Sequence, residues 1–308
     1  MKFHPIFQTY LNCSDENQVF DFFKDTLTGS ITKWDYFVDW QKVLKGFHNI
    51  EIHLNTLNYL IGKNDIESEF CTLLQQSPQI ITTIPILIAC RTLSLQILTD
   101  YSKGRFIYKS FNFQNKTSLT QSDIDDILEF TKKTGVLDLF RNKNIKSIPD
   151  YVLGIEVGLD TNGRKNRGGK TMETIVESLV SKICQQNNFS WIPQATSQKI
   201  LSEWNIKVEV DKSKRCFDFA VKNQNSIYLL ETNFYGGGGS KLKSTAGEYK
   251  SLFDFISPQG HKFIWVTDGL GWKTSLRPLE ETFLYIDYTF NLNMVVNGLL
   301  EELITQNL

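Results

Sequence analysis

The first half of the chain repeats hydrophobic residues every three or four positions, which is the spacing of amphipathic helices. One helix is predicted to begin after Ser14 and to end at Gly29. Further helices are predicted at residues 51–61, 65–76 and 122–133. In the last of these, Lys132 and Lys133 occupy the final turn, where positive charge stabilises the helix dipole. These apolar stripes indicate helices that face a core.

A polar, basic segment at residues 141–149 separates this region from a different pattern. The segment ends at Pro149, and a stretch of this kind favours a boundary between domains. We therefore predict an α-helical N-terminal region at residues 1–148 and a second domain at residues 149–308.

The second domain is predicted to combine strands and helices. Residues 217–221 and 227–234 are strand-like and flank a polar turn, so they predict a hairpin. A helix is predicted before the hairpin at residues 171–184, another after it at residues 244–256, and then a strand at residues 263–267. A helix between two strands implies a parallel crossover. The expected fold class is α/β, with a mixed sheet flanked by helices.

Two carboxylates are predicted to face each other in this hairpin. If the turn is symmetrical, Asp218 lies opposite Glu231, and alternation along the strand puts Asn233 on the same face. Two acids in an apolar hairpin repel each other unless something positive lies between them. A Mg²⁺ ion held by both carboxylates is one solution. The alternatives are two solvent-facing acids, or one acid paired with Arg215.

Several uncommon segments resemble a known family. They read EVGLDTNGRKNR at residues 156–167, FDF at 217–219, ETNFY at 231–235 and WVTDG at 265–269. In this order they resemble the DpnII/MboI-type restriction endonucleases, and the hairpin with its acids resembles the PD-(D/E)xK nuclease core. The resemblance implies a PD-(D/E)xK restriction-endonuclease-like core with a helical N-terminal region. It also implies magnesium-dependent cutting of unmethylated GATC in double-stranded DNA ahead of the G, which leaves 5′ overhangs of four nucleotides.

The candidate catalytic residues follow from the hairpin and from this resemblance. Asp218 and Glu231 are the expected metal ligands. The superfamily ordinarily has a lysine where this chain has Asn233, and an amide can only position water or a ligand. We expect magnesium to lower the pKa of a bound water, with help from lysines of the following loop. Glu173 matches a position where related cores add another acid, and the alternative is a solvated acid on a helix face.

A basic, glycine-rich loop is predicted at residues 162–169, directly before the helix. Its candidate DNA-binding residues, together with the Lys that follows, are Arg164, Lys165, Asn166, Arg167 and Lys170. Arg binds guanine and Asn binds adenine through paired hydrogen bonds in the major groove, whereas Lys suits phosphates. A second glycine run at residues 236–239 leads to three further candidates, Ser240, Lys241 and Lys243. The alternatives are a solvated loop and a flexible connector.

Two other functions remain open at this point. Residues 163–171, GRKNRGGKT, nearly form a phosphate-binding loop, so a nucleotide hydrolase is one alternative. One residue too many separates the outer glycines, and such loops usually carry a single Lys rather than several Arg. The second alternative is a catalytically inactive nuclease fold that only binds a partner. The presence of both Asp218 and Glu231 disfavours this alternative.

Composition limits the partners and the compartment. The chain has 308 residues, and 33 Lys plus Arg against 34 Asp plus Glu give a net charge of −1, so any DNA-binding charge must be local. The five cysteines include no close pair, which disfavours a zinc site and disulfides. No apolar run approaches the ~20 residues of a membrane span. We expect a cytoplasmic protein without a membrane partner. It should act as a homodimer, because a two-fold dimer places one active site on each strand of a palindrome.

Overall fold

The computed structural model describes residues 5–101 and 105–305, which form two compact units. One unit combines residues up to Lys33 with those from Lys165 onward, and the other is Trp34–Arg164. These units do not divide at residue 148. Pro149 lies instead in the first turn of a helix, where its fixed backbone angle is favourable, and the side chain of Ser147 caps that turn. A catalytic region at residues 149–308 stays a prediction.

Helices account for most of the secondary structure. The helices are α1 Pro5–Leu11, α2 Glu16–Asp25, α3 Trp40–His48, α4 Glu51–Leu57, α5 Ile66–Gln76, α6 Gln121–Lys133, α7 Val136–Arg141, α8 Ile148–Thr161, α9 Arg164–Asn187, α10 Ser197–Trp204, α11 Ser240–Ile256, α12 Leu276–Phe283, α13 Leu292–Val296 and α14 Leu299–Thr305. The strands are β1 Ser94–Asp100, β2 Ile107–Asn112, β3 Ser190–Thr196, β4 Cys216–Lys222, β5 Ile227–Phe234, β6 Lys262–Asp268 and β7 Tyr288–Phe290. No helix among the described residues is long and apolar enough to cross a membrane.

The unit Trp34–Arg164 is helical except for one hairpin. The predicted helices near residues 51–61, 65–76 and 122–133 are present as α4, α5 and α6. The prediction of an entirely helical region was wrong at β1 and β2, which pair antiparallel. Leu95 and Phe111 are paired in this hairpin and pack against the unit's core, which explains why the β-branched and aromatic residues around them form strands.

The other unit contains a five-stranded mixed sheet in the order β3, β4, β5, β6, β7. Strands β3, β4 and β5 pair antiparallel, whereas β5, β6 and β7 pair parallel. The predicted hairpin is β4 and β5, and the predicted parallel crossover is α11 between β5 and β6. Strands β3 and β7 were not predicted. The central strands β5 and β6 are buried along most of their length, which explains their continuous apolar sequences.

A buried carboxylate organises the end of β6. Asp268 is fully buried, and its side chain accepts hydrogen bonds from the backbone N–H groups of Thr28 at 2.6 Å and Leu292 at 2.8 Å. The Thr28 hydroxyl and the N–H of Gly269 donate to it as well. Because this acid is fully used in holding three segments together, it has a structural role.

Candidate active site

Asp218 and Glu231 lie on adjacent antiparallel strands, as the symmetry of the turn predicted. The observed pairs run from Lys222 with Ile227 to Phe219 with Leu230, and the same register continued by one residue places Asp218 opposite Glu231. Oδ2 of Asp218 accepts hydrogen bonds from the backbone N–H and the hydroxyl of Thr232, both at 2.7 Å. The hairpin therefore fixes the position of the Asp218 carboxylate directly.

Both carboxylates are in an environment that disfavours negative charge. Glu231 is 7% exposed, and burial together with the charge of Asp218 raises the pKa of Glu231 to about 8. Burial also raises the pKa of Asp218, although the hydrogen bonds from Thr232 oppose this. The first predicted alternative, two solvent-facing acids, is therefore wrong, because Glu231 is buried and Asp218 is half-buried.

A third acid, Glu173 of α9, belongs to the same cluster. Burial and the charge of Asp218 raise the pKa of Glu173, whereas Lys170 lowers it. The side-chain amide of Gln194 donates to Oε2 of Glu173 at 3.4 Å. Burial and the charges of the three acids also raise the pKa of the Cys216 thiol, so this side chain lies near them too. Glu173 is thus electrostatically coupled to Asp218 of the hairpin.

Arg215 is the positive group that approaches Glu231. Its Nη1 atom lies 3.8 Å from Oε1 of Glu231, so the ion pair considered from the sequence is present. Its shorter hydrogen bonds go to two other acids, Asp211 at 2.7 and 2.9 Å and Glu248 at 2.9 Å. Arg215 therefore neutralises Glu231 only in part, and the net effect on the pKa of Glu231 remains upward.

Asn233 is held by hydrogen bonds through both ends of its amide. The indole N–H of Trp265 donates to Oδ1 at 2.8 Å, and Nδ2 donates to the Tyr249 hydroxyl at 3.3 Å. The same hydroxyl donates to Oε2 of Glu231 at 3.2 Å. These hydrogen bonds of Tyr249 and Trp265 were not predicted from the sequence, because the apolar patterns around both residues indicate only that they face the core.

The donor set suits a hard divalent cation. Among the described residues no three His, Cys, Asp or Glu side chains are placed to hold a metal ion as a closed site. Mg²⁺ does not need such a site, because it usually binds one or two carboxylates and completes its shell with water and substrate phosphate. The charge of Asp218 raises the pKa values of both Glu231 and Glu173, and a cation bound at these acids would relieve that repulsion.

The basic segment at residues 162–169 is not a loop, and this prediction was wrong. Its residues from Arg164 onward form the first turns of the helix α9, which has 24 residues. Gly168 and Gly169 each weaken a helix by about 1 kcal/mol, but the buried residues further along α9 anchor it and outweigh this. The Nε atom of Arg164 donates to the backbone carbonyl of Phe37 at 3.2 Å.

Because residues from Arg164 onward are helical, they do not form a phosphate-binding loop. That motif requires a strand before the glycines and an irregular loop that wraps a phosphate. Here the helix α8 precedes the segment, and the segment itself is helical. A nucleotide hydrolase would also need a second acid at the end of an apolar strand, and β6 ends at Asp268. The carboxylate of Asp268 accepts hydrogen bonds from backbone N–H groups instead, so it has a structural role.

The second glycine run is packed against the chain that follows β6. The N–H of Gly271 donates to the carbonyl of Tyr235 at 2.7 Å, and a Cβ atom at Gly271 would collide with the carbonyl of Gly237. The run therefore contacts the chain after β6 before α11 begins, whereas a flexible connector would lack such contacts. Three exposed side chains begin this helix: Ser240, Lys241 and Lys243.

Three acids, one buried and two half-buried, lie on a mixed sheet and on a helix whose first turn is basic. This arrangement is typical of an enzyme that acts on a polyanion. Comparison with known proteins identifies the class. The DpnII restriction endonuclease family matches residues 19–302. The chain is 46% identical to the type II restriction enzyme MjaIII of Methanocaldococcus jannaschii over 292 residues, which are 93% of this chain and 99% of that protein.

Other relatives agree. The type II restriction enzyme LlaDCHI of Lactococcus lactis subsp. cremoris is 44% identical over 301 residues, 96% of this chain and 98% of that protein. The type II restriction enzyme DpnII of Streptococcus pneumoniae is 36% identical over 289 residues, 92% of this chain and 98% of that protein. The protein is therefore a type II restriction enzyme, a site-specific deoxyribonuclease. It belongs to the DpnII restriction endonuclease family.

Proposed function

We propose that this enzyme hydrolyses both strands of double-stranded DNA at unmethylated GATC, with Mg²⁺ as cofactor, on a PD-(D/E)xK core. The observation that carries the proposal is the pair of acids on the adjacent strands β4 and β5, the half-buried Asp218 and the buried Glu231. The order α9, β3, β4, β5, α11 and β6 matches the helix, three strands, helix and strand of that superfamily, with the short helix α10 inserted between β3 and β4. The GATC sequence and the cut ahead of G come from the resemblance to the DpnII/MboI-type enzymes.

In this proposal Asp218 and Glu231 hold the metal ion. When bound, Mg²⁺ would polarise the scissile phosphate and lower the pKa of the attacking water. Thr232 orients the Asp218 carboxylate through two hydrogen bonds, so this ligand is preorganised. Glu173 would add a third negative charge and orient a water molecule. Asn233 stands where the superfamily lysine would be and, as an uncharged amide, only positions its neighbours.

The first turns of α9 are proposed to contact DNA. A helix fits the major groove, and the residue types suited to guanine and adenine there are Arg164, Asn166 and Arg167. Lys170 would bind phosphates, as would Ser240, Lys241 and Lys243 at the start of α11. Lys165 is proposed for the same role, and its side chain lies outside the part of the chain that the structure describes. At least one residue of the first group should determine sequence preference.

We further propose a homodimer. A palindrome presents the same half-site twice, and a two-fold dimer supplies one acid cluster to each strand. Gel filtration of the enzyme with a duplex of one site should give two subunits per duplex. A complex of one subunit that cuts both strands would refute this.

We also propose a cytoplasmic location. The five cysteines are free, as expected in a reducing compartment.

The proposal is tested by metal-dependent cleavage of an unmethylated plasmid. Wild type should cut with Mg²⁺ and not with EDTA, and Asp218→Ala should lower the rate by several orders of magnitude while DNA binding persists. Glu209→Gln is a matched control, because this exposed acid forms a surface salt bridge with Lys207. Full activity of Asp218→Ala would refute the site. Wild type that binds GATC but never nicks it would support the alternative of an inactive binding module.

A further inference from the structure

Four side chains form a hydrogen-bonded series that ends at the Glu231 carboxylate. The series runs from Trp265 of β6 to Asn233 of β5, then to Tyr249 of α11, and finally to Glu231 of β5. Trp265 is fully buried, and Tyr249 and Glu231 are buried as well. A buried series of this kind is stable only if every donor meets an acceptor.

The direction of each hydrogen bond follows from chemistry. The indole N–H of Trp265 can only donate, so the amide of Asn233 must turn its oxygen towards it. The amide nitrogen of Asn233 then faces Tyr249 and donates to the hydroxyl oxygen. With its oxygen accepting, the hydroxyl directs its single proton onward to Oε2 of Glu231. All three bonds therefore point towards the carboxylate.

We propose that Tyr249 is a positioning residue for Glu231, and that Trp265 and Asn233 set the direction of its hydroxyl. This inference rests on the proposed function, in which Glu231 binds Mg²⁺. The hydroxyl holds Oε2 at 3.2 Å while Oε1 lies 3.8 Å from Nη1 of Arg215, so the orientation of the Glu231 carboxylate is restricted at both oxygens. Asn233 then acts through Tyr249, which gives the residue at the missing lysine position a role other than activating water.

The geometry also makes the hydroxyl separable from the ring. The Tyr249 ring packs edge-on against Phe263 and Trp265, with centroids 5.8 and 5.4 Å apart. These contacts persist in Tyr249→Phe, so this variant removes only the hydroxyl. Partners that orient a metal ligand are typically worth about 10- to 100-fold in metal affinity or activity. We expect a loss of that size.

The experiment measures metal binding directly. Mn²⁺, which accepts the same oxygen ligands, is titrated into the full-length protein without DNA, and the free ion is counted by electron paramagnetic resonance. Tyr249→Phe should bind Mn²⁺ about 10- to 100-fold more weakly than wild type and should lower the cleavage rate without changing DNA affinity in EDTA. Tyr228→Phe is the matched control, because its buried hydroxyl donates to the Leu303 carbonyl at the other end of β5. Equal losses in the two variants, or no loss in Tyr249→Phe, would overturn the proposal.

Two further variants separate this proposal from the one on which it rests. If Asp218→Ala binds Mn²⁺ as wild type does, the metal site itself is wrong. If Asp218→Ala loses Mn²⁺ and Tyr249→Phe keeps it, only the positioning role is wrong. Asn233→Ala should weaken Mn²⁺ binding as Tyr249→Phe does, and the double variant should be no weaker than the weaker single variant, because both changes break one series. If the losses of Mn²⁺ affinity multiply in the double variant, the two residues act independently and the proposed series is wrong.

Discussion

Replacing Glu231 by Gln should stabilise the metal-free enzyme at alkaline pH. The environment raises the pKa of Glu231 from 4.5 to about 8, so the folded protein binds this proton more tightly than the unfolded chain does. Between those two values the unfolded chain loses the proton while the folded protein keeps it. Stability contributed by this group is therefore complete below pH 4.5 and is lost as the pH rises towards 8. Above pH 8 the folded protein carries an unfavourable buried charge.

The size of this effect follows from the pKa difference. About 3.5 pKa units at about 1.4 kcal/mol each give an upper limit near 5 kcal/mol for the free energy of unfolding. Water entry and side-chain movement around the ionised acid reduce this, so we expect roughly 2 kcal/mol in practice. Gln has the same shape and still accepts a hydrogen bond from Tyr249, but it cannot ionise.

The assay is guanidinium unfolding in EDTA at pH 5 and pH 8.5. Glu231→Gln should match wild type closely at pH 5 and exceed it at pH 8.5. Glu209→Gln, at an exposed acid, should follow wild type at both values. A Glu231→Gln variant that is less stable than wild type at pH 8.5, or a difference that does not change with pH, would refute the reasoning.

Three other predictions concern the metal, the DNA and the fold. Mg²⁺ should raise the melting temperature of wild type and leave that of Glu231→Gln nearly unchanged, and an equal rise in both would place the metal elsewhere. Arg167→Ala should reduce discrimination between GATC and a single mismatch by roughly 1 to 3 kcal/mol per half-site, whereas Lys170→Ala should weaken all sequences alike and flatten the salt dependence. Competition binding at two salt concentrations decides this, and an unchanged specificity ratio in Arg167→Ala would count against its role. Asp268→Ala should lower the free energy of unfolding by about 3 kcal/mol, because it leaves buried N–H donors unpaired, and a loss below about 1 kcal/mol in denaturant unfolding would show that water replaces them.

The sequence predicted the hairpin well because its register depends on local features. The polar turn after Lys222 is short and symmetrical, and its flanking strands are apolar, so only one pairing buries both. The sequence did not reveal β3, whose Pro193 and alternating polar residues resemble a loop, or β7, which has only three residues. These strands form because they pair with strands that are distant in the sequence, and a local pattern of residues does not predict such pairing.

The parts of the site that were missed depend on contacts between distant segments. Periodicity placed Tyr249 on the core face of its helix, but it cannot show where a hydroxyl points. The helical start of α9 was interpreted as a loop because Gly168 and Gly169 disfavour a helix locally, while packing further along stabilises it. The expected DNA sequence came from the family resemblance, since no pattern of charge or hydrophobicity specifies GATC.

The most direct test of the account is to map the ends produced from a duplex that contains one GATC site. The unmethylated duplex, incubated with enzyme and Mg²⁺, should be cut on both strands immediately before the G, giving 5′ overhangs of four nucleotides. The same duplex with methylated adenine in the site should remain intact, as should the unmethylated duplex incubated with Asp218→Ala. Ends at another sequence, or cleavage that persists in Asp218→Ala or in EDTA, would contradict the central claim.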